Sequence, residues 1–90
     1  MDTDILRQEV ANHVRIVREL AGITPEEAAA RMNGEISGSY LRRVEKGDHS
    51  PTIEFLAQVC AACNITLAKF FTSLDLEGLE IPEPAGKSRR

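Results

Sequence analysis

Apolar residues recur at helical spacing through the first twenty positions. Leu6, Val10, Val14, Val17 and Ala21 fall on one face, Ile5 and Leu20 widen it, and Arg7, Glu9, Arg15 and Glu19 lie off it. This predicts an amphipathic helix, with Thr3 or Asp4 able to cap its start and Gly22 suited to the left-handed position just past its end. Thr24-Pro25-Glu26-Glu27 opens a second, short helix. The Thr hydroxyl can accept from the third helical N–H, Glu27 can reach back, and Pro25 fills the first helical position, where its missing N–H costs nothing. That helix runs through Ala28 to Met32 and stops at the turn-forming pair Asn33-Gly34.

Ser37 can cap a third helix, Gly38 to Lys46, closed by Gly47. At about 100° per residue, Ser39, Arg42, Arg43 and Lys46 share one face, while Tyr40, Leu41 and Val44 point the other way. The spacing therefore gives this helix one core face and one cationic face. Asp48-His49-Ser50-Pro51 reads as a loop ending in a capping Ser followed by Pro, after which Ile53, Leu56, Ala57, Cys60 and Cys63 mark a fourth helix ending near Asn64. Thr66 then caps a fifth, from Leu67 to about Ser73, carrying Phe70 and Phe71. From Asp75 onward the glycines and prolines forbid another useful helix. The tail's Leu76, Leu79 and Ile81 leave three options open: packing on the domain, packing on a second subunit, or a disordered extension. No internal repeat and no sustained strand alternation is present, so the fold class predicted is all-α.

Ninety residues leave room for one core, and 42% apolar against 28% charged is the balance of a folded chain. Fourteen acids against eleven bases give a net charge of −3, so any anion-binding role has to be local. No apolar run approaches the ~18 residues of a membrane span, and the Met1-Asp2-Thr3-Asp4 start is acidic where a signal peptide is basic. The expected location is cytoplasmic. Cys60 and Cys63 form C-x-x-C, which fits a thiol redox pair, half a zinc site, or two small buried side chains on one helix face. A redox pair belongs at the first turn of a helix after a strand, and zinc needs two more ligands, for which His13 and His49 are isolated candidates; the buried reading is favoured. No nucleophile with a base, paired carboxylate site or glycine-rich phosphate loop is evident, so neither an enzyme nor a cofactor or metal is expected.

Three ordered stretches carry a resemblance. Arg18-Glu-Leu-Ala-Gly-Ile-Thr-Pro-Glu-Glu-Ala-Ala, then Ser37-Gly-Ser-Tyr-Leu-Arg-Arg-Val-Glu-Lys-Gly, then Ser50-Pro-Thr-Ile-Glu-Phe-Leu leading to Cys63-Asn-Ile-Thr-Leu-Ala-Lys-Phe-Phe together resemble the Cro and phage-repressor (XRE) helix-turn-helix family, over roughly Val10 to Phe71. The resemblance implies a five-helix lambda-repressor-like domain over residues 1–74 with a tail at 75–90. It further implies that the third helix enters the DNA major groove. Gly38, Ser39 and Arg43 are then the base-reading positions, and Arg43 is the strongest, because a guanidinium can donate two parallel hydrogen bonds to guanine O6 and N7. Arg42 and Lys46 become phosphate contacts, with Arg18 and His49 beside the backbone. The family's pairing of an Arg near the end of the first helix with a Glu near the end of the third implies an ion pair between Arg18 and Glu45.

The resemblance also implies a homodimer on a two-fold symmetric operator, with half-sites about 34 Å apart. Interface candidates are Phe55, Phe71, Leu74, Leu76, Leu79 and Ile81, while Phe70 is placed in the core. The chain departs from the pattern at Pro25, where the family commonly carries a phosphate-binding Gln. It departs again at Asn33-Gly34-Glu35, which lengthens the inter-helix turn and sets Glu35 near the approaching phosphates, and at Gly38, which removes a side chain from a position that often reads bases. These departures, with the acidic balance and apolar tail, motivate a second class of function: an antitoxin or adaptor that uses the same fold to bind a protein partner.

Overall fold

The computed structural model describes residues 3–34 and 36–74. They form five helices: α1 (Thr3–Leu20), α2 (Pro25–Ala30), α3 (Gly38–Glu45), α4 (Ile53–Ala62) and α5 (Leu67–Ser73). No strand occurs among the described residues. The expected tail at 75–90, with Leu76, Leu79 and Ile81, and the expected role of Glu35 lie outside them.

Side-chain caps start four of the helices. Thr24 accepts from the Glu27 N–H at 3.1 Å, and the Glu27 carboxylate accepts from the Thr24 N–H at 2.8 Å, a closed capping box with Pro25 inside it. Ser37 caps α3 by accepting from Tyr40 N–H at 3.0 Å, and Thr66 caps α5 by accepting from Lys69 N–H at 2.9 Å. For α4 the cap is Thr52, which accepts from Phe55 N–H at 3.0 Å; Ser50, two residues upstream, is not the cap. The helix therefore begins only after Pro51, which keeps its fixed φ in the approach segment. In α1, Thr3 and Asp4 lie inside the first turn, where the Asp4 charge complements the helix dipole and pairs with Arg7 at 3.1 Å.

The turn from α2 to α3 runs through Asn33 and Gly34, both left-handed at φ 69° and 73°. Asn tolerates that region because its short side chain can bond locally. Gly47, just past α3, is the position that demands glycine most: φ is +87°, and a Cβ there would collide with the Gln8 side chain of α1. Its carbonyl accepts from Arg7 Nε at 3.0 Å, fastening the end of α3 to the start of the chain.

One core joins all five helices. Val10, Val14 and Val17 from α1, Ala28 from α2, Leu41 and Val44 from α3, Phe55, Leu56, Val59 and Cys60 from α4, and Phe70 from α5 form one buried cluster, which Met32 joins from the turn. The edges of the predicted stripes behave differently. Ile5 and Leu20, the expected flanks of the α1 stripe, stay exposed, Leu20 at 83%, because the helix ends project beyond the elements packed on its middle. Within α4, Ile53 is exposed and Phe55 is buried at 7%, beside Leu56, Val59 and Cys60. That helix touches α1, α2 and α5, so more than a single stripe of it is covered. Cys60 and Cys63 are free, buried thiols pushed up in pKa chiefly by desolvation, sited at the end of α4 and not at the opening turn that a redox pair needs.

His13 links α1 to α5: its ring meets Phe70 edge-on at 4.8 Å, and Nε2 lies 2.9 Å from Ser73 Oγ. Desolvation is the main cause that lowers its pKa below the ordinary 6.5, with a bond to the Phe70 backbone opposing it. A depressed folded pKa means that the unfolded chain takes up the proton first. The stabilisation is present above the unfolded pKa and is lost as pH falls through the folded one. Thermal unfolding at about pH 7.5 and about pH 5.5 should show a larger loss for wild type than for His13→Gln; equal losses would remove His13 from the pH response.

Candidate nucleic-acid interface

The α2–turn–α3 pair presents one candidate surface. Leu41 and Val44 are fully buried, and this fixes the rotation of α3, leaving Ser39, Arg42, Arg43 and Lys46 exposed on the opposite side. Lys46 is the C-cap residue, so its cation sits where the helix dipole is negative. Arg43 and Lys46 have no ion-pair partner among the described residues.

Arg18 and Glu45 meet as a two-pronged pair, Nε to Oε2 at 2.7 Å and Nη2 to Oε1 at 3.0 Å. The side chains are 11% and 6% exposed, so the pair sits at the buried junction of α1 and α3. Hydrogen bonding to Glu45 raises the pKa of Arg18, and Nη1 donates to the Ile23 carbonyl at 2.9 Å. All three guanidinium nitrogens are thus engaged within the domain. Arg18 was expected beside the DNA backbone as a phosphate contact; the structure turns it inward, where it fixes how α1 and α3 cross.

Arg42 forms an ion pair with Glu26 from the first turn of α2. Gly38 lies directly beneath: a Cβ there would stand 2.8 Å from Glu26 Oε2 and 3.0 Å from Cγ. Gly38 therefore provides a gap for Glu26 and has no side chain to offer a base. His49, exposed in the loop after α3, stacks on Tyr40 at 5.4 Å, and Tyr40 meets Phe55 edge-on at 5.8 Å. This chain of rings steadies the loop against α4.

The interface candidates separate by burial. Phe55 and Leu74 are core residues, at 7% and 9% exposure, and cannot offer their side chains to a second chain without reopening the domain. The reason is their neighbours: Phe55 lies under Tyr40, and Leu74 closes onto the same cluster. Phe71 is exposed and lines an apolar groove with Leu6, Val10, Ile53, Leu56 and Leu74.

Three side chains that matter here were not singled out for these contacts from the sequence. Glu26 reaches Arg42 across sixteen positions of chain, Arg7 bonds the Gly47 carbonyl, and Arg31 Nη1 donates to the Ala62 carbonyl at the end of α4 at 3.0 Å. For the first, the glycine at 38 is the one local feature that could have hinted at it, since it leaves room beside the α2 start, but the acid that fills the room is known only from the fold. The other two carry no local signal, since an Arg on a helix face has many possible acceptors.

A family model described as Helix-turn-helix matches residues 14–70, more than half of the chain. No curated protein matches. The matched span contains the capped α2, the turn, α3 with its outward cations, and the Arg18–Glu45 junction. The chain accordingly belongs to the helix-turn-helix family of the Cro and phage-repressor (XRE) type, a family of DNA-binding regulators.

Proposed function

We propose that this chain is a sequence-specific transcriptional regulator that binds a two-fold symmetric operator as a homodimer, with α3 of each protomer in the major groove. The observation that carries this reading is the rotation of α3: Leu41 and Val44 are buried, so Ser39, Arg43 and Lys46 stand together on solvent. Arg43, unpaired among the described residues, is free to donate both terminal nitrogens to a guanine edge. Ser39 offers a hydroxyl near the helix start. In this reading Lys46 and His49 meet the phosphates that flank the groove and supply affinity without sequence information, with Arg42, paired to Glu26, beside them. The groove beside Phe71 and Ile53 supports a second copy as dimer partner, since large apolar side chains stay exposed there in the single chain.

The test is a salt series on random genomic duplexes, followed by sequencing of the bound fraction. Wild type should enrich a symmetric site, with log affinity falling linearly in log salt. Arg43→Ala should relax preference at one base pair per half-site, a loss of about 1–3 kcal/mol there, while affinity for arbitrary duplex stays nearly unchanged. If wild type binds no duplex even at low salt, the DNA reading is overturned. The protein-adaptor or antitoxin reading, for which the same apolar groove is the supporting observation, then takes its place.

A further inference from the structure

Among the described residues, Arg42 is the one member of the cationic face whose charge is already answered by an ion pair. Its guanidinium meets the Glu26 carboxylate, which is anchored in the first turn of α2 and leans over Gly38. Two features make this a built arrangement. The missing Cβ at Gly38 opens the space that Glu26 occupies, since any larger residue would press on Oε2 and Cγ. Glu26 is also free of the capping box, where Glu27 does the reaching back, so its carboxylate has no other task in starting α2. Its own backbone N–H and then Arg42 lower its pKa below the ordinary carboxylate value.

We propose that Glu26 is an internal competitor for DNA phosphate: a carboxylate that occupies Arg42 and so withholds one cation of the recognition helix from the nucleic-acid backbone. This inference rests on the DNA-binding reading above. A paired Arg presents almost no net charge, so it releases no counterion from DNA when the helix docks. The side chains of Arg42 and Glu26 are 49% and 58% exposed, and an ion pair that open to water is weakly held. Glu26 therefore tunes backbone affinity and does not lock the site. Arg43, one residue further along α3, has no such partner among the described residues, so the competitor acts on the phosphate-side cation and spares the base-reading one.

The experiment is fluorescence anisotropy of the full chain on a labelled random-sequence duplex, across salt, for wild type, Glu26→Gln, Arg42→Ala and the double variant. Glu26→Gln should steepen the slope of log affinity against log salt by up to about 0.9 per protomer, the limit of one fully freed cation, which amounts to as much as about eightfold over one decade of salt. Arg42→Ala should barely change the slope in the wild-type background and should cancel the gain in the Glu26→Gln background. Gly38→Ala, which pushes the carboxylate off its seat, should move binding in the same direction as Glu26→Gln. The competitor is overturned if Glu26→Gln leaves the slope unchanged, or if its gain persists undiminished without Arg42, since the carboxylate would then act only as a general negative charge. Failure of wild type to bind duplex at any salt would overturn the DNA-binding reading itself, a separate outcome. Far-ultraviolet circular dichroism of each variant checks that the helices are intact, and both side chains are exposed enough for substitution to leave the core untouched.

Discussion

Arg18→Met should destabilise the domain by about 3–5 kcal/mol, because it strands a carboxylate that the fold has already removed from water. Glu45 is 6% exposed, and its two oxygens accept from Arg18 at 2.7 and 3.0 Å. Without the guanidinium those oxygens keep their desolvation cost and lose the interaction that offsets it. The loss from Glu45→Leu should be smaller, since Arg18 retains the Ile23 carbonyl and is the less buried of the two. Replacing both at once, by Met and Leu, should restore much of the stability, as an apolar pair of similar volume avoids the charge problem altogether. Urea unfolding of the two single variants and the double closes the cycle. Additive losses across that cycle would mean that the two side chains do not act as a pair. The double variant also separates stability from function, for it would fold while α3 loses the contact that sets its crossing with α1.

Phe70→Ala should cost about 3–5 kcal/mol as well, by a different route. The Phe70 ring is fully buried, the largest side chain in the core to be so, and it touches His13 at 4.8 Å and Phe71 at 5.3 Å between centroids. It is the only buried residue of α5, a seven-residue helix too short to hold its shape without tertiary contacts. Removing the ring leaves a void and releases the helix together. Against a total of about 5–15 kcal/mol for natural domains, the variant should show a measurable unfolded fraction near body temperature. The urea midpoint should fall with the slope unchanged; a shift of less than about 1 kcal/mol would show that α5 does not depend on this anchor. Phe71, its exposed neighbour, should tolerate the same substitution in the isolated chain.

The features legible in the sequence are those whose causes lie within four residues of one another. Thr24 and Glu27 close a capping box across three positions, and Ser37 and Thr66 reach the N–H groups three residues on, so the hydrogen bonds that start these helices are written locally. The stripe Val10, Val14, Val17 and the pair Leu41, Val44 are read the same way, because the helical period puts them on one side whatever they face. The cap of α4 is Thr52 and not Ser50, since both are competent capping residues beside a proline and the choice depends on where the approaching chain is held. The helix-turn-helix character needed more than local rules: it came from the order of several motifs, each weak alone.

The sequence by itself determined that this protein is all-α, where its helices start and stop to within a residue or two, and that the third helix carries its cations opposite its core residues. Only the tertiary structure decided which of those cations face outward unpaired. Arg42 is spoken for by Glu26 across the α2–α3 turn, while Arg43 and Lys46 have no ion-pair partner among the described residues. For Arg18 of α1, whose pairing with Glu45 the family resemblance implied, the structure decided that the guanidinium turns inward at the α1–α3 junction. It also decided that Phe55 belongs to the core while Ile53 and Phe71 remain exposed. The physical reason is range. Caps and helical faces follow from backbone geometry over one or two turns, whereas the partner of a charge or the covering of an aromatic ring follows from helices brought together from distant parts of the chain, whose approach no local pattern records.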